Sequence, residues 1–139
     1  MSEIKSKNAP EPVGVYPHAK RVGDLLFLSG VGPRKKGTKN IPGVELYEDG
    51  RIRKYDIEAQ CHSVFENVRL VLEDAGAGWE DLVDVTVFLT NMKDDFSKFN
   101  KIYAEYFKEV QPARTTVEVN ALPTPIAIEL KCIAYLKAD

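Results

Sequence analysis

Little in this sequence belongs to the commoner catalytic repertoires. Its 139 residues include two cysteines, two histidines and one tryptophan. Cys61 and Cys132 stand alone with no metal-ligand spacing, so a metal site is not expected, and both read as reduced core or interface thiols of a reducing compartment. No nucleophile elbow, P-loop or dinucleotide fingerprint occurs, so no cofactor is expected either. Long apolar runs are also missing. None approaches membrane-spanning length, and residues 1–7 lack the apolar centre of a signal peptide, which leads us to expect a cytoplasmic chain with no membrane contact. Nor is one charge in excess: 19 Lys+Arg against 21 Asp+Glu leave a net charge of -2. Such a balance offers no general attraction to nucleic acid, so any recognition of an anion has to be local.

What is present fits one domain over residues 1–139, with 44% hydrophobic and 29% charged residues, typical of a chain that buries a core. Residues 1–12, with Pro10 and Pro12, read as a flexible arm that orders only on a neighbour. The apolar run Leu25-Leu26-Phe27-Leu28 is a strand, ended by Ser29-Gly30-Val31-Gly32-Pro33. Residues 34–55 are too many for a structureless loop and imply a short hairpin with Arg51-Ile52-Arg53-Lys54 as one arm. From an Asp56 cap, Ile57, Cys61, Val64, Phe65, Val68, Val71, Leu72 and Ala75 recur at helical spacing up to Gly76, with His62 off the stripe. Trp79 in the following turn reads as a packing plug. Residues 82–89 form a strand with Val83, Val85, Val87 and Leu89 on one face. Residues 91–95 read as a loop, and Phe96, Phe99, Ile102, Tyr103, Tyr106, Phe107 and Val110 mark a second amphipathic helix whose aromatic stripe faces the core. Two further strands, 114–120 and 126–136, are expected to pair with each other across a Pro-containing turn. The sum is an α+β fold, one sheet with both helices on a single face.

Chemistry is concentrated in a few positions. Arg114, at the start of its strand in Pro112-Ala113-Arg114, offers a planar guanidinium suited to a carboxylate. Glu129 is expected beside it, on a sheet face away from the helices, where partial desolvation would let it hold a water and exchange protons. A structural cross-strand ion pair is the commoner alternative. Ser29 and Gly30 could offer a hydroxyl and backbone N–H groups to an anion, or form a plain turn. Tyr16 could enter a pocket or cover the core edge, and His18 could bind a carboxylate or sit solvated in its loop. Arg34, Lys35, Lys36 and Lys39 read as a solvated face or as a lid carrying positive charge to an anionic substrate. The face that carries Glu129 also carries Ile133 and Tyr135, too apolar to be left to water, so a second chain is expected to cover it and to complete a site between subunits.

Val13-Gly14-Val15-Tyr16, Leu28-Ser29-Gly30, Val85-Thr86-Val87-Phe88-Leu89, Phe99-Asn100-Lys101-Ile102-Tyr103, Pro112-Ala113-Arg114 and Ile128-Glu129 follow one another as in the YjgF/Rid superfamily of reactive intermediate deaminases, which the chain resembles over nearly its whole length. The resemblance implies a chorismate-mutase-like single mixed sheet, a homotrimer or pair of trimers with sites at subunit clefts, and cofactor-free hydrolysis of small anionic enamines or imines. It implies that Arg114 grips a substrate carboxylate and Glu129 positions the attacking water, with Tyr16, Ser29 and Gly30 lining the pocket. The long 34–55 segment, an extra residue near 91–95 and Thr116 where cysteine is common depart from the usual pattern. Within the superfamily the chain is most similar to members acting on 2-aminomuconate, a dicarboxylate of aromatic-compound catabolism. That would require a second cation, for which His18 and the basic 34–39 segment are candidates.

Overall fold

The computed structural model describes residues 2–136. Its strands are Ser2–Ile4 (β1), Ala19–Val22 (β2), Leu25–Leu28 (β3), Val44–Leu46 (β4), Ile52–Tyr55 (β5), Leu82–Leu89 (β6), Ala113–Glu118 (β7) and Ile128–Tyr135 (β8), with helices Ile57–Asp74 (α1) and Met92–Phe107 (α2). Six strands form one sheet in the order β1-β2-β3-β8-β6-β7, while β4 and β5 make a separate hairpin. Every pairing is antiparallel except β6 with β7, so the sheet is mixed. Both helices pack on one side of it, α1 against β8 and α2 against β6. The α+β arrangement is the one the sequence implies.

Alternation sets the core. Leu26 and Leu28 on β3, Val85, Val87 and Leu89 on β6, and Leu130, Cys132 and Ala134 on β8 are fully buried beneath Val64, Phe65, Val68 and Leu72 of α1 and Phe99 of α2. Burial pushes the Cys61 and Cys132 thiols each up to about 12, which leaves them protonated and inert at neutral pH. Val83 departs from its expected face. A register shift between Leu82 and Asp84 buries Leu82 instead and leaves Val83 exposed, as a β-bulge does by inserting one residue. Trp79 is the plug expected, its ring 4.6 Å from Phe107 and its indole N–H donating to the Tyr106 carbonyl at 2.8 Å.

The caps explain where the helices lie. Asp56 accepts the Glu58 and Ala59 amides at 2.9 and 3.3 Å, and α1 gives way to Gly76 at φ 82°, the left-handed position that favours glycine after a helix. α2 starts at Met92, earlier than the aromatic periodicity indicates, so residues 92–95 are its first turn and not part of a loop. Asn91 Oδ1 takes the Asp94 amide at 3.0 Å and Glu118 takes the Met92 amide at 2.8 Å, satisfying donors that otherwise have no partner at a helix start.

The arm expected to be flexible is ordered on its own chain. Ser2–Ile4 adds to β2, and Ser6 and Ala9 are buried. Ser6 Oγ donates to Asp74, Asn8 Nδ2 donates to the same carboxylate at 2.9 Å, and the Ser6 amide donates to His18 Nδ1 at 2.9 Å. Its polar composition conceals this, because the binding partners lie on α1 and beside β2.

The hairpin is tied down by a partly buried pair that the sequence does not mark. Tyr55 donates its phenol to Asp95 at 2.5 Å, and Asp95 is buried at the first turn of α2. Burial raises the Asp95 carboxyl above its ordinary value. The folded state therefore favours the protonated form, whose stabilising contribution is present at low pH and lost as pH rises through the raised value. Tyr55→Phe should cost about 1–3 kcal/mol at neutral pH, where the carboxylate loses its buried donor. The cost should shrink as pH falls through the raised value, which denaturant titrations at several pH values will measure.

Candidate active site

A cavity of about 180 Å³ opens where β3 ends, and Tyr16, His18, Ser29, Gly30 and Glu129 all line it. Five of the six residues singled out in the sequence thus converge. The sixth, Arg114, does not.

The cavity owes its shape to an irregularity between β3 and β8. Phe27 pairs with Ile133, yet Val31 pairs with Leu130, so the β3 side holds one residue more than the β8 side. This bulge brings Gly30 against the Glu129 carboxylate, where an added Cβ would lie 2.7 Å from Oε2. Glycine at position 30 is therefore required by the close approach of the Glu129 carboxylate, a reason that neither the anion-binding nor the plain-turn reading contained. Gly30→Ala should displace that carboxylate and lower any Glu129-dependent turnover by about 10²-fold, since small misplacements of a catalytic group carry costs of that order. Steady-state rates alongside a melting curve will check it.

Glu129 alternates with Ile128 and Leu130, both fully buried, and so points to the face away from the helices. It is half-buried, and burial raises its carboxyl above the ordinary value. On the same face Leu25 pairs with Tyr135 and Phe27 with Ile133. Leu25, Tyr135 and, on β7, Val117 are exposed there. Nearby Lys131 donates to the Leu28 carbonyl. Gln60, buried in α1, accepts the Ala127 amide at 2.7 Å and so fixes the chain just before Glu129.

The expected pairing of Arg114 with Glu129 within one chain is overturned by strand order. β8 inserts beside β6, so β7 and β8 are not neighbours. Arg114 sits opposite Val85 and Glu129 opposite Phe88, three residues further along β6. That places the two about 10 Å apart across the strands and about 10 Å along them. They also face opposite ways. Arg114 shares the helix side with buried Val85, donates to Asn100 Oδ1 at 2.9 Å and lies 4.6 Å over the Tyr103 ring, with Phe99 and Phe96 beyond. The aromatic stripe of α2 is therefore both core and a cation–π platform for Arg114. The reason is topological. A helical crossover joins parallel strands, which sends β7 to the outer edge of β6 and leaves the inner edge to β8. Around Arg114 the Tyr103 and Thr116 hydroxyls are buried without partners among the described residues.

The remaining candidates have more limited roles than their chemistry permits. Ser29 donates its hydroxyl to the Pro17 carbonyl at 2.7 Å and its amide to the His18 carbonyl at 3.0 Å. Its oxygen is left as an acceptor, suited to an N–H or a water and not to an anion. His18 is neither solvated nor free: it is buried, Nδ1 accepting from Ser6 and Nε2 donating to the Pro10 carbonyl at 2.8 Å. It braces the arm that walls the cavity. Tyr16 is partly exposed at the mouth, its hydroxyl accepting the Val13 amide at 3.3 Å. Asn67, absent from our sequence reading, is buried and donates to the Gly32 and Arg34 carbonyls, each at 3.0 Å. No position in the α1 pattern marks it, because it falls between apolar residues. Among the described residues no cluster of His, Cys, Asp and Glu could hold a metal, and no helix is long and apolar enough to cross a membrane.

Comparison with known proteins places this geometry in context. The sequence profile described as endoribonuclease L-PSP matches residues 6–136. A RutC family protein of Pyrococcus horikoshii is 42% identical over 132 residues, covering 95% of each chain. Reactive Intermediate Deaminase A of Arabidopsis thaliana, chloroplastic, is 35% identical over 133 residues, 96% of this chain and 65% of that protein. The crystal structure of YyfA from Yersinia pestis, of the conserved Rid protein family, superposes with a TM-score of 0.83 at 38% identity, covering 97% of this chain and 98% of that one.

Proposed function

Because the chain belongs to the endoribonuclease L-PSP family, which takes in the Rid proteins, we propose that it is a hydrolytic deaminase of small enamines and imines. The observation that carries this reading is Glu129: a half-buried carboxylate held against Gly30 in a small cavity, with no cation in ion-pair contact with it among the described residues. Desolvation makes it a stronger proton acceptor, suited to positioning water against an electrophilic C=N carbon. The substrate enters as its imine tautomer. Water on Glu129 adds to the carbon, its proton passing through the carboxylate to nitrogen; the carbinolamine hydroxyl then passes its proton by the same carboxylate to nitrogen as the C–N bond breaks, releasing ammonia and leaving a carbonyl. The Ser29 oxygen, an acceptor lining the same cavity, takes an N–H of the departing amine in this reading.

The substrate carboxylate goes to Arg114, supplied by a second copy of the chain. The apolar face around Leu25, Phe27, Ile133 and Tyr135 supports such an assembly, since a patch of that kind on the same sheet face as Glu129 calls for cover. In the reading we adopt the copies form a homotrimer with one cleft per interface, which light scattering during gel filtration will test. At the finest level we assign 2-aminomuconate as substrate and 4-oxalocrotonate as product. A general deaminase of 2-aminoacrylate-like species is the second reading, favoured by the relative named Reactive Intermediate Deaminase A. Ammonia release from the two substrates separates them: a kcat/KM at least tenfold higher for 2-aminomuconate upholds the first. Release from neither overturns both and leaves a ligand-binding role. An RNA substrate finds little support in a net charge of -2 and a cavity of about 180 Å³.

A further inference from the structure

The cavity contains a cation for which the reaction above has no task. Arg34 lines it and is half-buried. Among the described residues its guanidinium has neither a hydrogen bond nor an ion pair, in contrast to its neighbours. Lys36 is bound to the carbonyls of Lys7 and Ala9, Lys35 and Lys39 are exposed outside the cavity, and Lys131 is bound to the Leu28 carbonyl.

The backbone at Arg34 is also held in place. Asn67 binds its carbonyl and that of Gly32, each at 3.0 Å, and buried Pro33 lies between them. The backbone that carries the side chain is thus fixed to α1. Two carboxylates share the cavity, Glu129 and Glu11, and Glu11 stands 3.9 Å from Lys36. Burial is the sole cause that displaces Glu129, with no cation acting on it. Glu129 lies against Gly30, whereas Arg34 follows beyond buried Pro33 and makes no ion pair with it, so the two belong to different stretches of the same wall.

We propose that Arg34 receives a second anionic group of the substrate, at the end remote from the carbon that water attacks, so that this chain selects dicarboxylate imines over monocarboxylate ones. The guanidinium fork matches a carboxylate in bidentate fashion. The proposal rests on the reading of the cavity as a deaminase site, and it makes Arg34 a specificity residue: a remote anion held equally in ground and transition states acts on KM more than on kcat.

The test uses the full chain with Arg34→Met, which keeps the apolar stem, and Arg34→Lys. Ammonia release from 2-aminomuconate should fall about 10- to 100-fold in kcat/KM for Arg34→Met, as expected for a lost charge-assisted contact, with the change in KM. Release from 2-iminopropionate should stay within about twofold of wild type, and Arg34→Lys should recover part of the loss. Equal losses on both substrates, or none on either, overturn the proposal. Calorimetry with adipate and butyrate decides it independently of turnover. Adipate should bind the wild type about tenfold or more tightly than Arg34→Met, with butyrate indifferent. If the wild type releases no ammonia, the deaminase reading fails while the adipate comparison still judges Arg34. No adipate binding by the wild type, or equal affinity in both proteins, sinks it.

Discussion

Glu129→Gln should lower kcat for imine hydrolysis by about 10²–10⁴-fold, the range usual for loss of a positioned general base. Substrate binding should be nearly unchanged, because the amide keeps the size of the carboxylate and its contact with Gly30. Fold stability should be equal to wild type or slightly higher. The sign follows from burial, which raises the Glu129 carboxyl above its ordinary value. A raised carboxyl favours the protonated folded state, a contribution present at low pH and lost as pH rises through the raised value. At neutral pH the wild type therefore holds an ionised, partly desolvated group that Gln does not, and the variant's advantage appears on that side of the titration. The rate behaves in the opposite sense. Wild-type kcat/KM should fall as pH drops through the raised value, because a protonated carboxyl no longer accepts from water, and the residual rate of the variant should lack that acid limb. Matched pH–rate profiles and melting curves test both. A stability loss as large as the activity loss would make Glu129 a structural residue.

Arg114→Ala should raise KM and lower kcat/KM by about 10²–10³-fold, since a bidentate carboxylate contact contributes roughly 3–4 kcal/mol where water is excluded. The more decisive result is the mixture. Arg114 and Glu129 lie on opposite faces of one sheet with β6 between them, so a site that uses both takes them from different copies. Arg114→Ala and Glu129→Gln chains, each nearly inactive, should regain a substantial fraction of wild-type activity when unfolded and refolded together, because some interfaces then combine an intact Arg114 with an intact Glu129. No recovery would place both residues in separate functions. Part of the Arg114→Ala effect will be local. Its guanidinium covers Tyr103, Phe99 and Phe96 and binds Asn100, so Arg114→Lys, which keeps the charge without the fork, is the control for the platform.

The difference between what was legible and what was not follows the range of the interactions. Helix α1 could be read almost residue by residue, because its cap, stripe and terminal glycine are local signals. α2 began early because Glu118, far along the chain, supplies part of its cap. The faces of β8 were read correctly from alternation; that of Val83 was not, because one bulge residue inverts the rule, and Arg114, expected with Glu129 away from the helices, faces α2 instead. The arm was misread, since what orders it is Asp74 and His18.

The sequence by itself determined the layer composition, the buried faces of the helices and of β8, and the presence of an arginine and a carboxylate suited to a small anion and a water. These depend on local spacing and side-chain chemistry. Tertiary structure decided which of them meet. The α2 crossover fixes β7 as an edge strand parallel to β6, and β8 fills the place between β6 and β3. In consequence Glu129 joins Tyr16, Gly30 and Arg34 at one cavity, while Arg114 is left on the helix side of the sheet, against Asn100 and Tyr103. Strand order is a property of long-range pairing, and no spacing along β7 and β8 records which strand will lie between them.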